Sequence, residues 1–310
     1  MESLVQSRAT VSDRPANRAR WWASPRTGGL GALALVIALA PLALANDYFY
    51  DVAILVGLNA IVCVGLNLLI GYAGQISLGH AGFFGLGAYG SALMAFVVGR
   101  PILRLKGHYL AMATLGLGVI VSIVLANEDR ITGGPDGMPV PPFTVFGLAV
   151  SGEQTWYWIV GGCLLLAVWV ALNLIESPTG RALRALHTSE VAAEVVGIDS
   201  ARQKLMVFVV SAVFAAIAGG LTAFYSGFIT PAKASFLHSV ELVTMVVFGG
   251  MASTFGAVVG AAILTVLPQA LTVIKDYEMV VFGAILMITM IFLPRGAVPT
   301  LAGLLARKRG

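Results

Sequence analysis

The chain has 310 residues, of which 58% are hydrophobic and 11% are charged, and its formal net charge is +4. A soluble domain carries about 25% charged residues, so this composition excludes a water-soluble globule. The apolar residues form long blocks rather than alternating segments of about ten residues, which excludes a membrane β-barrel. The sequence therefore predicts an all-α integral membrane protein. Its two cysteines, Cys63 and Cys163, lie inside apolar blocks and form no disulfide or metal-binding pattern.

Stretches free of Asp, Glu, Lys and Arg mark the candidate membrane spans. They cover residues 30–46, 52–99, 107–127, 154–175, 205–232, 242–274 and 279–294. A helix needs about 20 residues to cross a bilayer, so the second stretch must fold back, and a break is expected at 71–74. Glycines near the middle of 242–274 favour two short helices over one long helix. The expected fold is a polytopic bundle of about 7–9 transmembrane segments with glycine-broken helices.

The distribution of Lys and Arg predicts which loops face the cytoplasm. The N-terminal tail, residues 1–29, holds five arginines, and the C-terminal tail, residues 296–310, ends in a basic cluster. Both tails are therefore expected inside, on either side of a transmembrane domain over residues 30–295. The loop 127–153 is acidic and is expected outside, whereas the loop 176–204 is expected inside. Since the basic residues follow membrane topology, they do not indicate a nucleic acid partner.

The number of crossings conflicts with the loop charges at residues 76–99. If this stretch crosses the membrane, Arg100, Arg104 and Lys106 fall outside, although their charge is typical of an inside loop. Either residues 76–99 form a re-entrant hairpin, or a helix before Arg100 is missing from the chain. The second hypothesis is preferred.

Residues 71–90 contain seven glycines. In a membrane, glycine lets helices approach closely, and it permits breaks whose backbone lines a cavity. Four polar residues in or beside this segment are candidates for a solute pathway: Asn67, Gln75, Ser77 and His80. The alternative interpretation is tight packing, in which neighbouring groups satisfy these side chains. A metal site at His80 is not indicated, because no second ligand lies near it in the sequence.

The apolar blocks lack embedded carboxylates. No Asp or Glu lies between Asp51 and Glu128, and none lies deep in a later block. Ion-coupled carriers usually place an ionisable group within a span. The pattern therefore argues against an ion-coupled secondary carrier.

The inside loop 176–204 contains a candidate docking helix. Ser189 is a good N-cap residue, Glu190 suits the helix dipole and Gly197 is a natural C′ residue; residues 177–180 are expected to form a turn. A helix of about two turns is not stable alone, so it must dock on its own membrane domain or on a cytoplasmic partner. The residues expected to take part are Arg184, Glu190, Ala192, Ala193, Glu194 and Gly197.

Four motifs together resemble the membrane permease of bacterial branched-chain amino acid ABC importers. They occupy residues 65–89, 132–137, 177–199 and 247–256, and the first reads GLNLLIGYAGQISLGHAGFFGLGAY. The resemblance covers residues 30–295. It implies a bacterial inner membrane protein that pairs with a second homologous permease, two cytoplasmic ABC ATPases and a periplasmic substrate-binding protein.

The resemblance also assigns the chemistry. It implies that the partner ATPases bind and hydrolyse ATP, that this chain binds no cofactor or metal and is not an enzyme, and that the segment 189–197 is the coupling helix. The chain has no Gly-Lys dipeptide and therefore no Walker A loop. It departs from the family's Glu-Ala-Ala-x-x-x-Gly pattern, because Val191 stands at the acidic position, and this leaves the role of Glu190 open.

Three alternatives to a branched-chain amino acid importer remain. A urea or short-amide ABC permease has a similar sequence, although the complete first motif favours amino acids. An ion-coupled secondary carrier is disfavoured by the missing carboxylates, and a passive channel is disfavoured by the docking helix.

Overall fold

The computed structural model describes residues 25–43, 46–90, 108–128, 132–145, 148–150 and 152–271, together with residues 283, 287, 296 and 300. Most of the predicted basic tails lies outside the described residues. Arg100, Arg104 and Lys106 also lie outside them, so the missing-helix and re-entrant hypotheses remain predictions.

Ten α-helices make up most of the described chain. In chain order they are α1 (Pro25–Ala43), α2 (Asp47–Asn67), α3 (His80–Gly90), α4 (His108–Asn127), α5 (Glu153–Glu176), α6 (Pro178–Thr188), α7 (Glu190–Val195), α8 (Ser200–Ser226), α9 (Phe236–Gly249) and α10 (Thr254–Leu271). A π-helical turn, Leu68–Tyr72, extends α2, and 3-10 turns lie at Gly134–Asp136 and Pro231–Ala234.

Three helical segments in the described part are long and apolar enough to cross a membrane, namely Asp47–Tyr72, Glu153–Glu176 and Ser200–Ser226. Shorter apolar segments lie in α1, α4, α9 and α10. The prediction of a helical membrane protein is confirmed in this coarser form. The number of about 7–9 spans stays a prediction.

Two short antiparallel strand pairs connect the loops. β1 (Met138–Pro139) pairs with β4 (Phe228–Ile229), and β2 (Thr144–Val145) pairs with β3 (Leu148–Ala149). These strands are two residues long each, and the rest of the described chain is mostly helical, as predicted. Backbone groups outside helices need partners, and here they find them in segments that the sequence pattern does not join.

α2 is the central helix of the bundle. It packs against α5, α8, α9 and α10, and its second half is buried on every side, including Leu58, Val62 and Leu66. A helix that is apolar all round is expected in such a position. Side chains from the surrounding helices complete one continuous core around α2.

The apolar stretch 242–274 contains two helices, as predicted. α9 ends at Gly249, α10 begins at Thr254, and Gly250 in the turn has a φ of +114°. A Cβ at Gly256 would lie 2.5 Å from the Gly249 carbonyl oxygen. The two helices therefore leave the turn with their backbones in contact.

α3 and α8 also cross at backbone contact. A Cβ at Gly219 would lie 1.9 Å from the carbonyl oxygen of Phe84, and a Cβ at Gly87 would lie 2.1 Å from that of Ala216. Small residues at membrane helix interfaces permit this approach. Gly87 in the glycine-rich segment therefore permits the close packing of α3 against α8.

We predict that Gly219→Ala lowers the free energy of unfolding by about 1–3 kcal/mol, because the new methyl group meets the Phe84 backbone. The matched control is Gly220→Ala, where the Cβ would lie 3.4 Å from the Gly87 carbonyl oxygen, an ordinary contact. The free energy of unfolding of this control should stay the same or rise by up to about 1 kcal/mol, because alanine has a higher helix propensity than glycine. Thermal unfolding in detergent measures both variants. Equal midpoints would contradict the close crossing.

Candidate functional site

The glycine-rich segment breaks the chain between α2 and α3. The π-helical turn ends at Tyr72, residues 74–79 are not helical, and α3 begins at His80. Gly74 has a φ of +65°, and a Cβ there would lie 2.7 Å from His187 Nδ1. The backbone conformation therefore favours glycine at this position. The predicted helix break is confirmed, and its non-helical part begins at Gly74.

Other elements pack closely against this break. A Cβ at Gly71 would lie 2.2 Å from the amide nitrogen of Ala252, and a Cβ at Gly79 would lie 1.9 Å from the carbonyl oxygen of Thr114 on α4. The Tyr72 hydroxyl donates a hydrogen bond to the Ala252 carbonyl at 2.7 Å. The first and last of the four sequence motifs, which are distant in the chain, thus meet in space.

His80 is fully buried, and both of its ring nitrogens have partners. Nδ1 lies 2.8 Å from Ser77 Oγ, and Nε2 lies 2.7 Å from Ser211 Oγ on α8. The rings of Phe83 and Phe208 meet the imidazole edge-on. This is the arrangement expected from the packing interpretation of Ser77 and His80. A part in the solute pathway stays a prediction for both.

Asn67 and Gln75 are also buried, but their side-chain amides have no hydrogen-bond partner among the described residues. Burying an amide without a partner costs free energy, and most buried polar groups in proteins are paired. The four predicted pathway residues therefore lie in one region but divide into two paired and two unpaired side chains.

The predicted docking helix is present as α7 and is capped at both ends. Ser189 Oγ accepts a hydrogen bond from the Ala192 amide at 3.3 Å. At the other end Gly197 has a φ of +86°, and the Ile198 amide donates to the Ala193 carbonyl at 3.0 Å. This is a Schellman motif. The capping residues found in the sequence thus have the predicted roles.

Residues 177–180 form the start of a helix, so their prediction as a turn was wrong. Ser177 is the N-cap of α6, its Oγ accepts from the Gly180 amide, and Pro178 occupies the first turn. Serine and proline mark a helix start as readily as a turn. Glycine is required at position 180, because a Cβ there would lie 2.1 Å from the Ile175 carbonyl oxygen.

α6 then lies along the bundle with its apolar side inward. Leu183 and Leu186 are buried, whereas Arg184 is exposed. Arg184 therefore remains available for the docking role that the sequence suggested.

The two faces of α7 have different environments. Ala193 is buried, whereas Val191, Val195 and Val196 are 74%, 82% and 76% exposed. Of the two alanines expected to take part in docking, Ala192 is exposed, whereas Ala193 packs on the chain's own domain. The opposite side forms an exposed apolar surface, here called the valine patch: Val191, Ala192, Val195 and Val196.

Two acidic residues bind α7 to the first turns of α8. Glu190 Oε2 lies 2.7 Å from Lys204 Nζ, and Glu194 Oε1 accepts a 2.6 Å hydrogen bond from Ser200 Oγ. The sequence analysis missed Lys204, since the turn after α7 that brings it back beside Glu190 is a tertiary feature. The only signal was its place at the polar end of an apolar block.

A cavity of about 120 Å³ joins this loop to the helix break. Its walls include Gly74 and Gln75 from the break, His187 from α6, and the pair formed by Glu190 and Lys204. The Gln75 amide, which has no partner among the described residues, thus shares one small space with a partly buried ion pair. No sequence motif connects these residues.

A larger open cavity of about 1030 Å³ lies where α2 and α5 begin and α8 ends. The Tyr225 hydroxyl donates to the Asp51 carboxylate inside it. The sequence analysis missed this cavity because its walls come from separate segments; the acids at the block edges were the available signal. Its acidic and aromatic residues are Asp47, Asp51, Glu153, Phe143, Trp156, Phe224 and Tyr225.

A family model described as "Branched-chain amino acid transport system / permease component" matches residues 90–290. The chain belongs to this family. The match contains the loop 176–204 and the motif 247–256, and the glycine-rich motif 65–89 directly precedes it. No solved structure matches the chain.

Several curated family members are similar to this permease-family chain. The high-affinity branched-chain amino acid transport system permease protein LivM of Salmonella typhimurium is 35% identical over 244 residues, which are 71% of this chain and 57% of LivM. LivH of the same organism is 29% identical over 222 residues, 67% of this chain and 69% of LivH. The probable LivM of Methanocaldococcus jannaschii is 26% identical over 231 residues. The chain thus spans less than two thirds of the Salmonella LivM.

We predict that Ser211→Ala lowers the free energy of unfolding by about 1–3 kcal/mol, because it leaves a nitrogen of the buried His80 without its partner. Ser226→Ala makes the same change at an exposed serine on the same helix, and it should stay within about 0.5 kcal/mol. Thermal unfolding in detergent measures the difference. A loss of the same size in both variants would contradict the role of the His80–Ser211 hydrogen bond.

Proposed function

We propose that this chain is the permease subunit of an ATP-binding-cassette importer, and that it forms the translocation path for branched-chain amino acids. The observation that carries the proposal is the valine patch on the capped helix α7, which lies inside the region matched by the family. The names of the similar proteins support the substrate class.

The geometry of α7 fits a docking element. A helix of this length is unstable alone in water, but its caps, the buried Ala193 and the Glu190–Lys204 pair hold it in place. The exposed valines then offer apolar area whose burial in a partner's groove is favourable. We assign that groove to a cytoplasmic ATPase, and Arg184, Glu194 and Gly197 lie on or beside the same loop.

The orientation and partners follow from this assignment. With α7 in the cytoplasm, both termini are cytoplasmic, and the cavity between the starts of α2 and α5 opens to the periplasm. A second homologous permease completes the path in the inner membrane, two ABC ATPases bind and hydrolyse ATP, and a periplasmic binding protein delivers and selects the amino acid. This chain supplies no catalysis and binds no cofactor.

The pathway runs beside the helix break in this proposal. Asn67 and Gln75 offer amides that the described residues leave unpaired. Ser77 and His80 hold the first turn of α3 in position. The four residues therefore shape the route, while recognition of the amino acid lies with the binding protein.

We predict that Ala192→Arg abolishes both uptake and recovery of the ATPase, because it places bulk and charge on the valine patch. The chain would be expressed with its neighbouring genes and purified in mild detergent. The ATPase that co-purifies would then be quantified. The matched control is Ala201→Arg, the same change at an exposed alanine on α8 outside the patch. This variant should retain the ATPase.

Uptake by the complete importer tests the substrate class. Labelled leucine, isoleucine and valine should accumulate in proteoliposomes when ATP and the binding protein are supplied, and urea should not. ATPase recovery that is unchanged in Ala192→Arg would overturn the assignment of α7. Accumulation of urea alone would overturn the substrate class.

A further inference from the structure

We propose that Glu190, Lys204 and Gln75 form a coupling switch between α7 and the helix break. In the arrangement seen here Glu190 pairs with Lys204. When α7 is displaced, the ion pair opens. The Gln75 side-chain amide then becomes the hydrogen-bond partner of Lys204 and Glu190. The inference rests on the proposed function, since the force on α7 comes from the partner ATPase.

The ion pair is placed to resist movement of α7. Glu190 is the first residue of that helix, and its carboxylate lies 2.7 Å from the ammonium group of Lys204 on α8. The side chains are only 28% and 11% exposed. Water and salt therefore screen this pair less than a surface pair. α7 cannot leave its position without separating the two charges.

The same loop touches the helix break directly. His187, in the last turn of α6, lies so close to Gly74 that a Cβ there would be 2.7 Å from its Nδ1 atom. Gly74 and Gln75 are non-helical. Residues at the ends of elements are the ones that absorb backbone rotation at hinges. Movement of the loop 176–204 thus acts on Gly74 and Gln75, whose non-helical backbone can rotate.

Gln75 supplies the second arrangement of the switch. It is 5% exposed and its amide is unpaired among the described residues, yet it lines the same cavity as Glu190 and Lys204. An amide has an acceptor oxygen and two donor hydrogens. Its oxygen can accept from Lys204, and its nitrogen can donate to Glu190. Each charge therefore has a nearby partner when the ion pair opens.

The cavity gives these side chains room to exchange partners. Protein interiors are close-packed and resist small continuous shifts, but about 120 Å³ of free space lies between the break and the loop. Coupling between sites requires an element with two discrete arrangements. Lys204 provides two such arrangements, one paired with Glu190 and the other hydrogen-bonded to Gln75.

The test uses the complete importer in proteoliposomes and measures amino acid taken up per ATP hydrolysed. Lys204→Met should lower this ratio about tenfold, a typical size for coupling between sites, while the ATPase is recovered in the normal amount. Gln75→Leu should lower the ratio in the same direction. Because this variant replaces one neutral side chain by another, it carries the test if Lys204→Met fails to assemble.

The matched control is Gln203→Leu. Gln203 is adjacent to Lys204 and also has a buried side-chain oxygen without a partner among the described residues, but it lines a different groove. This variant should keep the ratio of the unmodified importer. The exchanged pair Glu190→Lys with Lys204→Glu should recover part of the ratio lost in Lys204→Met.

Each outcome decides the proposal. If Lys204→Met and Gln75→Leu reduce only the amount of assembled importer and leave the ratio unchanged, the residues are structural and the switch is overturned. An equal loss in Gln203→Leu overturns it as well. Failure of the unmodified importer to take up amino acid contradicts the proposed function itself, which distinguishes that failure from a failure of the switch.

Discussion

The architecture depends on one constraint, which is that non-helical backbone within a membrane must be enclosed by protein. Water is not available there to pair with free backbone groups. Residues 74–79 leave the helical pattern inside an apolar stretch, so other elements have to cover them. The turn before α10 packs on Gly71 and α4 packs on Gly79, whereas Gly74, beside His187 of α6, and Ile76 are exposed. The bundle therefore encloses the two ends of the break and leaves part of its middle open.

The break is in contact with elements from distant parts of the chain. The turn holding Ala252 reaches it through Tyr72, and the loop holding α7 reaches it through His187. Three motifs that are far apart in the sequence therefore form one assembly in space.

The loop 176–204 combines rigidity with exposure. Capping and the buried Ala193 fix α7 on its own domain, while the valine patch stays accessible. Glu190 lies one position before the acidic position of the family's pattern. Its carboxylate pairs with Lys204 and so links α7 to α8. A helix held in this way can transmit a displacement, whereas a free loop would absorb it.

The sequence by itself determined the helical membrane class, the helix break, the division of residues 242–274 and both caps of α7. These features depend on hydrophobicity and on residues a few positions apart, which a sequence shows directly. Tertiary structure alone decided that His80 is paired with Ser211, 131 positions away, that Gln75 has no partner in the described part of the chain, and that Ala193 is buried while Ala192 is exposed. It also decided the two strand pairs and the start of α6 at Pro178. Burial and long-range pairing depend on which helices become neighbours, and that is settled only when the whole chain packs.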